Sequence, residues 1–314
     1  MTTTQHRLPM ILDEVRAVRV ERLSPSFVRV ELGGACLADF GVDGPTYDQR
    51  IKLVFPYAGG SLPSVADADQ AWLSTWLERP VEERGHMRTY TIREVRGSGA
   101  DTRLVVDFVV HGHDGQAGPG SSWAEQAEVG DPVVLLAPRR GEPFGGIEFA
   151  PGTASQLLLV GDETAVPAIC AILGQLPWQA RGAAFLEVPT AADVLSVVHP
   201  EGVEVVWLPR DGGPVGSRVH DAVLTHLGAP VLPVDEPVEV DPDLWETPTY
   251  SSSGEEVDAP VTLVGHDLEG LYAWIAGESA MVTTLRRALV RDLGVDRRQV
   301  AFMGYWRRGV AMRS

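Results

Sequence analysis

Met87-Arg88-Thr89-Tyr90-Thr91-Ile92-Arg93-Glu94-Val95 decides how the first half of this chain is read. Its β-branched and aromatic residues favour an extended segment. Side chains alternate along a strand, so Arg88, Tyr90 and Ile92 face one way and Thr91 and Arg93 the other. Two guanidiniums in one strand suit the diphosphate of a dinucleotide, because arginine binds phosphate oxygens in pairs and keeps its charge. A tyrosine ring can lie against a flat heterocycle, and a threonine hydroxyl can donate to a ring nitrogen. The ordinary alternative is a surface strand with scattered arginines.

Around this tract the first half reads as β. Alternating segments fall at 13–20, 27–32, 49–56, 104–110 and 132–138, with a helix over 121–127. Short strands with a single helix and no βαβ rhythm point to a Greek-key antiparallel β-barrel. Residues 57–83 read as a long loop with a short helix, whose Trp72 and Trp76 at i, i+4 form a packed face rather than a binding box. The second half changes period. Strands are expected at 156–160, 182–188, 203–207, 271–276 and 299–303, with helices over 164–176, 191–198, 217–227 and 279–293. That alternation implies a mostly parallel α/β sheet with right-handed crossovers. A boundary near Pro151 and Gly152 gives domains 1–149 and 150–314. The stretch 228–260, rich in proline and acid, reads as an insertion.

Composition narrows the class. A chain of 314 residues holds two ordinary domains, and 44% hydrophobic with 7% aromatic content is usual for globular proteins. A net charge of −17 argues against nucleic acid or an anionic membrane as partner. No apolar run is long enough to span a membrane. Met1 to Met10 lacks the apolar core of a secretory signal, so the expected location is cytoplasmic. Cys36 and Cys170 stand far apart, as small buried hydrophobes would, and are too few to hold an iron–sulfur cluster. The eight arginines within 286–313 read mainly as a solvated face, and Lys52 is the only lysine in the chain. Nothing in the sequence demands more than a monomer.

Three further stretches join the arginine–tyrosine strand. Asp107-Phe108-Val109-Val110-His111-Gly112 precedes Gly118-Pro119-Gly120-Ser121-Ser122-Trp123-Ala124. Gly161-Asp162-Glu163-Thr164-Ala165 follows an apolar strand, and Ala276-Gly277-Glu278 with Gly304-Tyr305-Trp306-Arg307-Arg308-Gly309 closes the chain. In order and spacing, from about residue 15 to 310, they resemble the siderophore-interacting protein family of FAD-dependent ferric-siderophore reductases.

The resemblance implies a ferredoxin-reductase-like FAD-binding barrel followed by a nicotinamide-binding α/β domain. FAD would be held by Arg88, Tyr90, Thr91 and Arg93, by Asp107, Val109 and His111, and by Gly118, Gly120 and Ser121 at a helix start that favours anions. His111 taken alone reads more readily as a structural hydrogen-bonder than as a ligand. Asp162, Thr164, Ala165, Gly277, Glu278 and Trp306 would line the nicotinamide end of the sheet, where open α/β sheets bind ligands. The Gly161 turn is no G-x-G-x-x-G fingerprint, and a helix cap accounts for Asp162 or Thr164 as well. Glu187 at a strand end would bind ribose hydroxyls and repel a 2′-phosphate, a lean towards NADH over NADPH.

The implied reaction passes electrons from NAD(P)H through FAD to the Fe(III) of a siderophore, releasing Fe(II), with no catalytic protein residue or protein metal site. Lys52, Arg139 and Arg308 would bind the anionic chelate, although Arg307 stands beside Arg308 and Arg140 departs from a simple Pro-Arg-Gly-Ser pattern. A ferredoxin as electron donor stays open. So do a general NAD(P)H flavin reductase, an electron-transfer partner of an oxygenase, and a non-catalytic flavin or siderophore carrier.

Overall fold

The computed structural model describes residues 7–57, 60–66, 68–69, 71–110, 118–230, 245–247, 250–251 and 268–309. The chain divides between Ile147 and Glu148 into two compact units.

The first unit holds β1 (Met10–Arg22), β2 (Phe27–Gly33), β3 (Arg50–Phe55), α1 (Trp72–Glu78), α2 (Val81–Arg84), β4 (His86–Thr91), β5 (Glu94–Arg96), β6 (Arg103–Val109), α3 (Pro119–Gln126) and β7 (Pro132–Pro138). Its antiparallel strands run in the order β4-β3-β7-β1-β2-β6-β5. The tract expected as one strand over 87–95 is two, at opposite ends of that order, because its pairing partner changes midway. The Ile92 N–H donates to the Gln49 carbonyl beside β3, and the next N–H, of Arg93, donates to Val105 on β6. One continuous segment therefore belongs to both ends of the curled sheet, β4 pairing with β3 and β5 with β6.

Partners across an antiparallel pair share a face. Ile51, Leu53 and Phe55 of β3 lie in the interior core with Val30, Phe108 and Leu135. Each such side chain contributes roughly 1.5–3 kcal/mol when fully buried. Their β4 partners are Tyr90, Arg88 and His86, which therefore line the interior face too. Lys52 and Val54 look outward, where Val54, Trp76, Val134 and Leu136 form a second cluster under α1. The Trp72 and Trp76 rings stack at 5.9 Å, and Trp76 Nε1 donates to the Arg84 carbonyl at 2.9 Å, as a packed face requires.

The second unit holds β8 (Gln156–Gly161), α4 (Val166–Leu173), β9 (Gly182–Val188), β10 (Val203–Pro209), α5 (Ser217–His226), β11 (Trp245–Thr247), β12 (Tyr250–Ser251), β13 (Leu271–Glu278), α6 (Ser279–Arg286) and β14 (Val300–Trp306). The order is β10-β9-β8-β13-β14-β11-β12, parallel from β10 to β14 and antiparallel at β11 and β12. All eight α4 residues are buried. The helix starts two residues later than expected, with Pro167 in its first turn.

The helix expected over 191–198 is a single 3₁₀ turn, Ala191–Asp193, closed by reciprocal Thr190 and Asp193 capping bonds. Beyond it Val194, Val197 and Val198 are β-branched, and Pro200 disfavours a helical residue before it. Of the expected insertion, 231–244, 248–249 and 252–260 lie outside the described residues. Among the described residues no helix is long and apolar enough to cross a membrane.

Candidate functional site

In the first unit, β4 presents a strip of His86, Arg88 and Tyr90 on the interior face. The Tyr90 ring packs on Phe108 at 4.5 Å and Phe55 at 5.9 Å, beside Trp123 of α3. Burial raises the phenol pKa far above its ordinary value, keeping Tyr90 neutral. Its hydroxyl meets the first turn of α3 where Gly120 has no side chain; a Cβ there would stand 1.8 Å from the Tyr90 oxygen. Gly120→Ala is therefore expected to push Tyr90 off its packing and cost about 1–3 kcal/mol. An unchanged melting temperature and flavin affinity in that variant would show that the two residues do not depend on each other.

α3 has Gly118 at its N-cap with no side-chain cap bond, and Pro119 in its first turn brings no N–H that would need one. Arg88 is half-buried, and burial lowers its pKa. This pairing of a partly dehydrated guanidinium with an uncapped helix start on the same unit fits a diphosphate, the group FAD would bring.

The remaining candidates of this unit are placed differently. Arg93 lies 3.9 Å from Asp107, whose carboxylate already holds Arg29 in a bidentate pair at 2.7 and 2.8 Å. Thr91 and Ser121 are buried, and Val109 is half-buried. His111 lies outside the described residues. Lys52 sits on the outer face, opposite the Arg88 strip, and donates to Thr89 Oγ1 at 2.8 Å. Burial, then Arg50, lower its pKa. Arg139 is engaged with the Asp39 carboxylate at 2.5 Å and the Met10 carbonyl at 3.0 Å, so its guanidinium serves the barrel wall.

In the second unit, the carboxyl ends of β8, β13 and β14 meet around Asp162, which is fully buried. Its Oδ1 accepts from the Thr164 N–H at 2.9 Å and the Thr164 hydroxyl at 2.5 Å, and its Oδ2 from the Glu278 N–H at 2.7 Å and Trp306 Nε1 at 2.8 Å. Burial and then the Glu163 charge raise its pKa, to about 7, against the pull of Thr164 and Trp306. Only Oδ1 can take a proton without breaking the set, because the Thr164 hydroxyl can turn from donor to acceptor. Gly277 makes this approach possible: its φ is +143°, and a Cβ would stand 2.7 Å from the Asp162 carboxyl carbon.

Glu278 caps α6 through the Ala280 and Met281 amides, and its other oxygen accepts from the Arg308 N–H at 3.2 Å. Ala165 is buried, and its methyl lies 2.4 Å from where a Gly161 Cβ would stand. Asp162, Thr164, Gly277, Glu278, Trp306 and the Arg308 backbone thus converge, with the acids spent on holding the sheet ends together. Glu163 likewise takes Arg210 in two bonds, at 2.7 and 2.6 Å. Glu187 is also committed: its carboxylate accepts from the Gly216, Arg218 and Val219 amides at 2.7, 3.1 and 3.3 Å. The sequence argument for NADH rested on a free Glu187 and loses its basis here.

The chain matches the siderophore-interacting FAD-binding domain over residues 16–142 and the siderophore-interacting protein domain over 154–309. It is 31% identical to the ferric vibriobactin reductase ViuB of Vibrio cholerae, across 96% of this chain and 90% of that one. The chain belongs to the siderophore-interacting protein family. An Escherichia coli NADPH-dependent ferric-chelate reductase is 30% identical, over 66% of this chain and 74% of its own. A crystal structure of a siderophore utilization protein from T. fusca superposes with a TM-score of 0.66 at 29% identity, covering 97% of this chain and 95% of that one. The ferredoxin reductase of carbazole 1,9a-dioxygenase shares the fold at 17% identity and a TM-score of 0.56, covering 95% of this chain and 70% of that one.

Within this siderophore-interacting protein two residues went unnoticed in the sequence. Arg210 is the counter-ion of the acidic turn, forty-seven residues from its partner Glu163, and no local signal joins them. His86 was within reach, because it stands two residues before Arg88 and therefore on the same strand face.

Proposed function

We propose that this siderophore-interacting protein is a ferric-siderophore reductase that draws electrons from NADPH or NADH, passes them through FAD to Fe(III), and releases Fe(II). The observation that carries the reading is the interior strip of β4, with half-buried Arg88 and packed Tyr90, on the unit whose α3 starts uncapped. Arg88 would pair with the diphosphate, the first amides of α3 would donate to it, and Tyr90 would fix the floor of the site. When bound, FAD supplies the redox chemistry, accepting hydride from the nicotinamide and returning electrons singly to iron. In the second unit, Gly277 and Trp306 at the strand ends would border the nicotinamide, positioned by Asp162. The similarity to an NADPH-dependent relative supports NADPH as a donor. A cytoplasmic site of action belongs to the same proposal, since reduced nicotinamide is supplied there.

On the first unit the chelate would be met by Lys52, whereas Arg139 is already occupied. Lys52→Ala is expected to raise the KM for an anionic ferric chelate about two- to fivefold, as one exposed cation allows, with flavin reduction unchanged. Equal KM values for every chelate would remove Lys52 from the substrate site. The whole reading is tested by anaerobic titration with NADH and NADPH, followed by ferric siderophores and an Fe(II)-trapping dye. Bleaching of the flavin followed by chelate-dependent reoxidation supports it. Bleaching without reoxidation indicates a general flavin reductase or an oxygenase partner, and no bleaching with either nicotinamide indicates a carrier or another electron donor such as a ferredoxin.

A further inference from the structure

In open α/β sheets the phosphates of a dinucleotide sit on the helix starts that follow the strands. Here the turns that leave the carboxyl ends of β8, β9, β10 and β13 are each closed by a buried acid. After β8, Asp162 accepts from the Thr164 amide through its side chain and from the Ala165 and Val166 amides through its carbonyl, and Pro167 brings no N–H. After β9, Asp193 Oδ2 accepts from the Thr190 amide at 3.1 Å and the Thr190 hydroxyl at 2.8 Å. After β10, Glu187 takes the Gly216, Arg218 and Val219 amides, and the Ser217 N–H donates to the Pro214 carbonyl at 3.3 Å, so the amides that open α5 are all bonded. After β13, Glu278 takes the Ala280 and Met281 amides at 2.6 and 3.1 Å. Asp162, Asp193 and Glu187 are 0% exposed and Glu278 6%, so a phosphate could claim these amides only by stranding a buried carboxylate. Of the arginines beside these turns, Arg210 directs both terminal nitrogens to Glu163, and Arg218 and Arg308 stand exposed, where a pair with phosphate gains little.

We propose that the second unit recognises its hydride donor by the nicotinamide end alone, so that the adenylate half adds little and reduced nicotinamide mononucleotide serves about as well as NADPH or NADH. This inference rests on the reading of the second unit as the donor site. Gly277 and Trp306 would border the ring, with the indole held through Nε1 by Asp162. The sheet end carries Asp162, Glu163, Glu187, Asp193 and Glu278 against Arg210, so it offers further phosphates repulsion rather than a grip. Truncation leaves the chemistry unchanged. A hydride, two electrons with one proton, leaves C4 of the reduced ring, the ring departs as the pyridinium, and the flavin takes up the hydride. An α/β unit with open helix starts would instead lose much of its rate with a truncated donor, because binding remote from the reacting ring ordinarily supports the reaction.

Anaerobic stopped-flow mixing of the flavin-loaded protein with NADPH, NADH and reduced nicotinamide mononucleotide compares their second-order rate constants for flavin bleaching. The three are expected to agree within about tenfold, and a mononucleotide slower by more than that overturns the proposal. Calorimetry with the oxidised forms reads binding without turnover. NADP⁺, NAD⁺ and nicotinamide mononucleotide should share a dissociation constant within about the same tenfold, and adenosine 2′,5′-bisphosphate should not compete with them. Competition by the adenosine bisphosphate overturns the proposal. Added salt should leave the NADPH rate constant unchanged or raise it, because like charges meet at this sheet end. A rate constant that falls with salt would mean that cations grip the phosphates, and overturns it too. If none of the three donors bleaches the flavin, the donor reading of the unit falls with the proposal. If NADPH and NADH bleach it and the mononucleotide does not, that reading stands and only recognition by the nicotinamide end is lost.

Discussion

Arg88→Ala should weaken FAD binding about ten- to hundredfold, the loss expected when one charge-assisted pair of hydrogen bonds to a diphosphate disappears. Arg88 is placed for that role by its register opposite Leu53, which turns it to the barrel interior. Its half-buried state means that no layer of free water replaces the lost contact cheaply. Equilibrium dialysis or fluorescence titration of the stripped protein measures the change. Thermal unfolding of the stripped variant separates a loss of binding from a loss of fold. A variant that purifies with full flavin content and unaltered affinity would falsify the diphosphate role of Arg88.

Asp162→Ala is expected to destabilise the second unit by about 3 kcal/mol or more. It strands the Thr164 and Glu278 amides and Trp306 Nε1 around an emptied centre, and each buried unpaired donor costs about 1–3 kcal/mol. Asp162→Asn tests the same point with volume preserved, because its NH₂ group would confront the Thr164 amide in one orientation and the Glu278 amide and Trp306 Nε1 in the other. Urea unfolding followed by tryptophan fluorescence reads the effect directly, Trp306 being one of the bonded groups. Wild-type stability in both variants would mean that the sheet ends are held by packing alone.

These residues also show what a sequence can disclose. That Arg88 and Tyr90 share one strand face was legible, because they sit in alternate positions of one short segment. Gly277 and Glu278 were legible for a similar reason: a glycine at the end of an apolar strand marks a close approach. The barrel seam was not, since a strand that changes partners between Ile92 and Arg93 keeps the composition of a strand that does not. Glu187 looked free because its three amide partners stand twenty-nine to thirty-two residues further along the chain. Arg139 looked free for the same reason, with Asp39 one hundred residues earlier. A side chain's chemical type is local information, whereas whether it is already occupied depends on contacts that only the folded chain makes.

The seam has a consequence for how the first unit stays folded. β4 and β5 are a single closing stave whose halves are fastened to non-adjacent neighbours by the consecutive amides of Ile92 and Arg93. Arg88 rides on that stave, so a ligand that grips it would also fasten the sheet. Cofactor loading and barrel integrity then draw on one free energy, and these two amides should exchange with solvent more slowly by the factor that ligand occupancy sets.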